Sequence, residues 1–160
     1  MLSDRKFLTV ADDTKECVPA IMFAAMRAKT VGAGLVIMRV ARLPSMGHWR
    51  GLDEELRTEV RDNALSDAQS LARRVKERVG IEAEVEVSIE KPVQAIRDIV
   101  DKDSAIKVLV LGSGGEKAGP GPLVSRVAKG KPLANRPIAI TIIPGDLSDL
   151  QLDEMGGMDH

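Results

Sequence analysis

The chain has 160 residues and a formal net charge of −1, with 44% hydrophobic and 2% aromatic residues. These values favour one domain with an aliphatic core. They exclude the dense basic patch of a duplex DNA-binding protein and the aromatic platform that stacks single-stranded nucleic acid. Cys17 is the only cysteine, so no internal disulfide can form. Because the sequence contains no long apolar run for export or for spanning a bilayer, we expect a cytoplasmic protein.

Apolar runs alternate with helical patterns along the chain. The first run, residues 7–11, predicts a strand that ends in the polar turn Asp12-Asp13-Thr14. We expect Thr14 to cap the helix that follows, in which apolar residues recur at helical spacing over residues 18–26. A second apolar run predicts a strand over residues 35–41.

The middle of the chain continues this alternation. A loop is expected over residues 42–52, which contain a proline and two glycines, before the longest helix, Asp53 to Val79. Residues 82–89 alternate glutamate with apolar residues, which predicts a strand with one exposed face near a sheet edge. Apolar residues at helical spacing between positions 93 and 100 predict a short helix.

The chain is organised around residues 108–125, where an apolar strand leads directly into a glycine-rich loop. Residues 108–111 are all branched and apolar, which is typical of a parallel strand covered on both faces. Glycine lets main-chain N–H groups approach a ligand, so a glycine loop before a helix suits a phosphate. The glycines stand at positions 112, 114, 115, 119 and 121. The alternative is that this loop is only a flexible connection.

Basic residues follow the glycine loop and favour a polyanionic ligand. Between positions 112 and 136 the chain has one acidic residue, Glu116, and the basic residues Lys117, Arg126, Lys129, Lys131 and Arg136.

The last strand is predicted over residues 138–143, so the element order is βαβαβαβαβ, which implies a doubly wound parallel sheet. Such an apolar final strand would be an exposed edge, so we expect a homodimer that pairs through it. Residues 144–160 contain five acidic residues and no lysine or arginine. We therefore divide the chain into an α/β domain over residues 1–143 and an acidic, solvated tail over residues 144–160, which folding should not need.

Two polar segments are expected to meet at the carboxyl edge of this sheet. Asp12 follows the first strand and Gly112 follows the fourth. If these strands are neighbours where the strand order reverses, their loops face each other across a crevice. A carboxylate that accepts hydrogen bonds from ribose, opposite a phosphate-binding loop, predicts a nucleotide site.

At these residues the chain resembles the universal stress protein family over nearly its whole length. The first strand of that family ends in an aspartate-glycine-serine turn, and FLTVADDT is similar, with Asp13 for glycine and Thr14 for serine. Gly112-Ser113-Gly114-Gly115 matches the G-x-x-G motif of the ATP-binding branch. The second half of the motif departs, because the spacer is one residue shorter and Val124-Ser125 stands at the G-[ST] pair.

The resemblance implies an open five-stranded parallel sheet with helices on both faces, a Rossmann-like fold with strand order 3-2-1-4-5. It also implies a regulatory protein of the stress response that binds an adenine nucleotide, ATP with or without Mg²⁺, and that dimerises through Ile138 to Ile143. Asp12 would meet the ribose, and the backbone of Ala11 and of Met38 to Val40 would wall the adenine. Gly112, Gly115 and Ser125 would hold phosphates. The predicted site further includes Asp13, Ser113, Gly114, Lys117 and Val124.

Other functions are weighed on the same residues. A nucleotide-free dimeric stress or interaction module remains open. A receiver-type phosphoacceptor fails, because the strand over residues 82–89 ends in Glu90-Lys91-Pro92 with no aspartate. Catalysis has little support, since there is no GxSxG or P-loop motif, Cys17 has no evident histidine partner, and two histidines cannot form a metal cluster. We therefore expect no enzyme and no metal site, with slow ATP hydrolysis the single activity left open.

Overall fold

Strands and helices alternate along the chain, which this computed structural model describes for residues 4–41, 53–114 and 119–157. The loop predicted over residues 42–52 lies outside these ranges. The strands are β1 (Lys6–Ala11), β2 (Gly34–Val40), β3 (Glu84–Ser88), β4 (Ile106–Ser113) and β5 (Ala139–Pro144). The helices are α1 (Cys17–Val31), α2 (Asp53–Val79), α3 (Pro92–Lys102), α4 (Pro122–Ala128) and α5 (Asp149–Gly156). None of the helices in the described ranges is long and apolar enough to cross a membrane.

Five strands pair in parallel in the order β3-β2-β1-β4-β5, which confirms the predicted strand order. β1 lies at the centre, between β2 and β4. The chain winds outward from β1 to β3 and then crosses to the other side of β1, so the strand order reverses between β1 and β4. In parallel sheets of this kind, ligands bind in the crevice outside the strand ends at such a reversal.

Each face of the sheet carries its own apolar cluster. Helices α1, α2 and α5 cover one face, and helices α3 and α4 cover the other. Successive residues of a strand point to opposite faces, so Leu109 and Leu111 belong to one cluster and Val110 to the other. This double burial explains why residues 108–111 are uniformly apolar, and it confirms the predicted helices on both faces.

Helix α1 begins differently from the sequence-based prediction. Thr14 does not cap it, because both the main-chain N–H and the hydroxyl of Thr14 donate to Asp12 Oδ1 and close a local turn. The N-cap residue is Glu16, whose side chain makes no capping hydrogen bond. The helix ends before Gly32, which adopts a left-handed φ of 70° at the C-cap.

The C-terminal segment also differs from the prediction of a solvated tail. Ser148 and Gln151 form a capping box at the start of α5, and each accepts a hydrogen bond from the main chain of the other. Leu152 is buried in the cluster that contains α1, and Leu147 packs against that cluster. Arg78 of α2 donates to Asp149 and Asp153. The acidic composition of this segment favoured the prediction of a solvated tail, but its apolar residues make these contacts. Residues 147–156 therefore pack on the domain.

Candidate functional site

A cavity of about 470 Å³ lies at the carboxyl edge of the sheet, where β1 and β4 end. Its apolar floor consists of the last inward residues of three strands, Val10, Val40 and Leu111, together with Val124 of α4. Asp12 and Gly112 both line it, so the predicted crevice between the loops after strands one and four is present. The volume is within the usual range of small-molecule sites.

Asp12 contributes an exposed carboxylate to one wall of the crevice. Its Oδ1 accepts a 2.8 Å hydrogen bond from the N–H of Thr14 and a second bond from the Thr14 hydroxyl. These bonds hold the carboxylate in the turn after β1. Within the described part of the chain, no side-chain or backbone group donates a hydrogen bond to the other carboxylate oxygen of Asp12, Oδ2. That oxygen can therefore accept a hydrogen bond from a ligand hydroxyl.

Asp13 also lines the crevice, but its carboxylate is bound by Arg39 of β2. Arg39 is buried, its Nη2 donates to Asp13, and its Nη1 donates to the carbonyls of Val40 at 2.9 Å and Ala11 at 3.4 Å. Burial would lower the pKa of Arg39, but the hydrogen bond to Asp13 and the charges of Asp13 and Asp67 raise it above its ordinary value. Ala11 itself is buried on the α1 side of the sheet and does not line the cavity.

Gly112 is explained by packing inside the fold. A Cβ atom at this position would lie 2.3 Å from the carbonyl oxygen of Glu16, so only glycine lets the end of β4 approach the start of α1. The next residue, Ser113, accepts a hydrogen bond from the N–H of Gly145 at 2.9 Å and is not part of the cavity lining. Gly114 lines the cavity. Gly115 and Lys117 lie outside the described residues.

The second half of the glycine loop leads into α4. Gly119 and Gly121 line the cavity with φ values of 74° and 85°, and a Cβ at either position would meet no atom within 4 Å. Glycine is therefore required there for backbone conformation. The first hydrogen bond of α4 runs from the Ser125 N–H to Gly121, so the N–H groups of Leu123 and Val124 precede it and have no partner within the helix.

Val124 and Ser125 were expected at the phosphate end of the site. The Val124 side chain lines the cavity and is 9% exposed, packed into the same apolar cluster as Leu111. Ser125 is not part of the lining. The residue that stands at the glycine of the family motif therefore presents a branched side chain to the crevice.

The described lining is acidic. Its charged side chains are Asp12, Asp13 and Glu16. The described basic residues that were expected to serve a polyanion are absent from it: Arg126 donates to the Pro132 carbonyl, Arg136 donates to the carbonyls of Val100 and Asp103, and Lys129 and Lys131 are exposed. Arg136 cannot serve the cavity because it precedes β5 and contacts the turn between α3 and β4. That turn lies at the amino edge of the sheet, opposite the cavity.

Several lining residues escaped the sequence-based site. Thr14 lies in the turn before α1, Glu16 is its N-cap residue, and Cys17 and Pro92 are the first residues of α1 and α3. Their common signal is that each follows the carboxyl end of a strand within a few residues. Cys17 is buried, and burial raises the pKa of its thiol, so it lacks the thiolate character of a nucleophile. The described residues contain no group of three or more potential ligands that could hold a metal ion.

Comparisons with known proteins agree with the fold. Solved structures with the same fold include the universal stress protein UspA from Lactobacillus plantarum, with 20% sequence identity and a TM-score of 0.67 over 89% of this chain and 99% of that chain. A universal stress protein in complex with cAMP has 17% identity and a TM-score of 0.57 over 87% of this chain and 96% of that chain. A protein of the same family from Burkholderia pseudomallei has 17% identity and a TM-score of 0.55, over 87% and 95% of the two chains.

A search of curated proteins finds no match. The model of the universal stress protein family matches residues 5–130. Because this match covers most of the sequence and both loops of the crevice, the chain belongs to the universal stress protein family.

Proposed function

We propose that this protein binds an adenine nucleotide in the crevice between Asp12 and residues 112–124, as a regulatory protein of the stress response. One observation carries the proposal. An apolar floor, a carboxylate and a glycine-rich backbone surround one cavity of about 470 Å³ at the point where the strand order reverses. The similar universal stress protein that was crystallised with cAMP supports the same ligand class.

Each part of the crevice suits one part of a nucleotide. Adenine would lie on the apolar floor of Val10, Val40 and Leu111, where burial of its faces is favourable. A ribose hydroxyl would donate to Asp12, which has one carboxylate oxygen already held by Thr14. The phosphates would lie toward Gly114 and the first turn of α4, where main-chain N–H groups precede the helical hydrogen bonds.

ATP is the predicted nucleotide. Because the cavity lining is acidic, we expect the binding of ATP to depend on a cation. The triphosphate would meet the field of Asp12, Asp13 and Glu16 without a compensating basic side chain among the described lining residues. Mg²⁺ is usually held by phosphates and one or two carboxylates, so it needs no complete protein cage. We therefore expect Mg²⁺ to tighten ATP binding and to leave adenosine binding unchanged.

We propose a binding protein and not an enzyme. Rapid phosphoryl transfer requires positive groups that stabilise charge on the transferred phosphoryl, and the described lining supplies carboxylates instead. Any hydrolysis of bound ATP should therefore be slow. The cytoplasmic location inferred from the sequence stays a prediction.

A nucleotide-free module is the second candidate, and one feature favours it. Val124 fills the position at which the ATP-binding branch has glycine, and its side chain belongs to the core. In that case the crevice would bind no nucleotide, and the protein would function by binding other proteins through its surface.

We also propose a homodimer that forms through β5. This strand lies at the edge of the sheet and pairs with β4 on one side. Ile142 of β5 is a large apolar side chain that is 40% exposed on this edge strand.

Two measurements separate these candidates. Purified protein is denatured, and the released small molecules are identified by mass spectrometry. Calorimetric titrations then use adenosine, ATP with and without Mg²⁺, and GTP as the control for the base. We expect saturable binding of adenosine and of ATP with Mg²⁺, and much weaker binding of GTP. No heat with any adenine ligand, together with no released nucleotide, would leave the nucleotide-free module.

A further inference from the structure

Arg39 is a buried charge in a strand, GLVIMRV, that is otherwise apolar. Such a residue is costly unless its donors are satisfied. Its guanidinium contacts four groups from separate parts of the fold: the carbonyls of Ala11 and Val40, and the carboxylates of Asp13 and Asp67. Three of these partners belong to residues at the crevice or next to it.

We propose that Arg39 is a positioning residue, which fixes Asp12 for recognition of ribose. This inference rests on the proposed nucleotide-binding function. Ala11 and Asp13 are the two neighbours of Asp12 in sequence, and both are bound by the same guanidinium, Ala11 through its carbonyl and Asp13 through its carboxylate. The carbonyl before Asp12 and the side chain after Asp12 are therefore both held by one guanidinium.

The strand register makes this arrangement possible. Arg39 is the partner of Ala11 in the pairing of β2 with β1, so its side chain starts beside the end of β1. Its Nη1 bridges the carbonyls of Ala11 and Val40, and Val40 belongs to the crevice floor. Arg39 thus links the ribose side of the crevice to its adenine side.

A planar fork is needed to serve these partners together. Arginine presents five N–H donors in fixed geometry, whereas lysine offers a point charge on a flexible stem. The Nε atom of Arg39 lies 3.5 Å from Asp67 Oδ2 of α2, which fixes the remaining edge of the guanidinium. Arg39→Lys therefore keeps the charge and loses the geometry.

If the ion pairs of Arg39 only stabilised the fold, removing them would lower the melting temperature without changing the relative affinities for different ligands. A positioning residue has a further consequence, because it controls how well the site distinguishes a ribose from a sugar without hydroxyls. The test therefore uses the ratio of affinities for ATP and for 2′,3′-dideoxy-ATP, both with Mg²⁺. Because both ligands are measured on the same variant, loss of folded protein cancels in this ratio.

The experiment is calorimetric titration of the wild type, Arg39→Lys, Asp13→Asn and the control Lys6→Met. Lys6 also forms ion pairs between elements, with Asp103 and Glu84, but at the amino end of β1. We expect the wild type to prefer ATP by roughly ten- to a hundredfold, the effect of a hydrogen bond to a charged group. The ratio should fall toward one in Arg39→Lys, fall in the same direction in Asp13→Asn, and stay at the wild-type value in Lys6→Met.

The outcomes are distinguishable. If the wild type binds neither ligand, the proposed function fails and this inference fails with it. If the wild type prefers ATP and both variants keep the full ratio, the proposed function stands and Arg39 is only a stabilising residue. If Arg39→Lys does not fold, Asp13→Asn decides, because the Asp13 side chain is 80% exposed and its replacement should be tolerated.

Discussion

At the scale of single residues, the glycines around the crevice are required for two different reasons. Gly112 needs space, since a Cβ there would overlap the Glu16 carbonyl, whereas Gly121 needs a positive φ and has open space around it. We expect Gly112→Ala to force the start of α1 away from β4 and to cost about 1–3 kcal/mol of unfolding free energy. Denaturant unfolding measures this loss. A variant as stable as the wild type would contradict the close approach of these two elements.

The ion pair between Lys6 and Asp103 makes part of the stability depend on pH. The hydrogen bond from Lys6 is the largest cause that lowers the pKa of Asp103 from its ordinary value of 3.8. A carboxyl group whose pKa is lowered in the folded state stabilises the protein above its unfolded pKa, and that contribution is lost as the pH falls through the folded pKa.

Asp103→Asn should therefore be less stable than the wild type at neutral pH, and the difference should shrink as the pH falls below about 3.8. The asparagine retains an acceptor for the Ala105 N–H, so the turn itself is preserved. Urea unfolding of both proteins from pH 2 to pH 7 measures the difference. A gap that stays constant over this range would show that the carboxylate charge contributes nothing.

At the scale of secondary-structure elements, α5 is the part whose contribution the composition concealed. Gly156 lies so close to α1 that a Cβ would be 2.4 Å from the sulfur of Met26, and Leu152 is 3% exposed. Truncation after Gly145 removes these contacts. Burial of Leu152 alone is worth about 1.5–3 kcal/mol, so the melting temperature should fall by roughly 4–10 °C.

A matched pair of substitutions on α5 controls for effects of the shorter chain. Leu152→Ala should cost about 2–5 kcal/mol, whereas Leu150→Ala should cost little, because Leu150 is 57% exposed on the same helix. Equal melting temperatures for the truncated and full-length proteins would show that α5 does not pack on α1.

The alternation of strands and helices was accessible from the sequence because it arises from local pattern, whereas the strand order was implied by the family resemblance. The double burial of residues 108–111 and the break at Gly32 follow directly from residue type. The position of basic residues was not accessible in this way. Arg136 is near the glycine loop in sequence, yet its guanidinium binds the carbonyl of Asp103 on the opposite edge of the sheet.

Two further features of the site could not be predicted from the sequence. The sequence identifies Val124 as a departure from the family motif, but only packing reveals that its side chain belongs to the core as well as to the crevice wall. Arg39 reads as an interruption of a strand until its four partners are known. The capping box of Ser148 and Gln151 was not predicted, because the acidic composition of residues 144–160 favoured a solvated tail.

At the scale of the whole molecule, the edge strand β5 is the surface through which we propose that the protein dimerises. In the proposed dimer the 40% exposed side chain of Ile142 would be buried against a second copy. Ile142→Glu should therefore shift the protein to monomer, because a buried carboxylate without a partner is strongly unfavourable. Leu65→Glu is the matched control, since Leu65 of α2 is also 40% exposed. Sedimentation equilibrium measures both, and a wild type that stays monomeric at high concentration would refute the dimer.

The nucleotide crevice is the central claim, and Asp12→Asn tests it most directly. Asparagine keeps an oxygen that accepts a hydrogen bond from the Thr14 N–H. It removes the negative charge of the carboxylate that would accept a hydrogen bond from the ribose hydroxyl. Asp101→Asn is the control. Asp101 accepts a hydrogen bond from Asn135 and lies near the C-terminal end of α3, whereas Pro92, at the N-terminal end of α3, lines the crevice. In calorimetric titration with ATP and Mg²⁺, we expect Asp12→Asn to lose roughly ten- to a hundredfold in affinity and Asp101→Asn to bind like the wild type. Equal affinity of Asp12→Asn and the wild type, or no binding by the wild type, would contradict the claim.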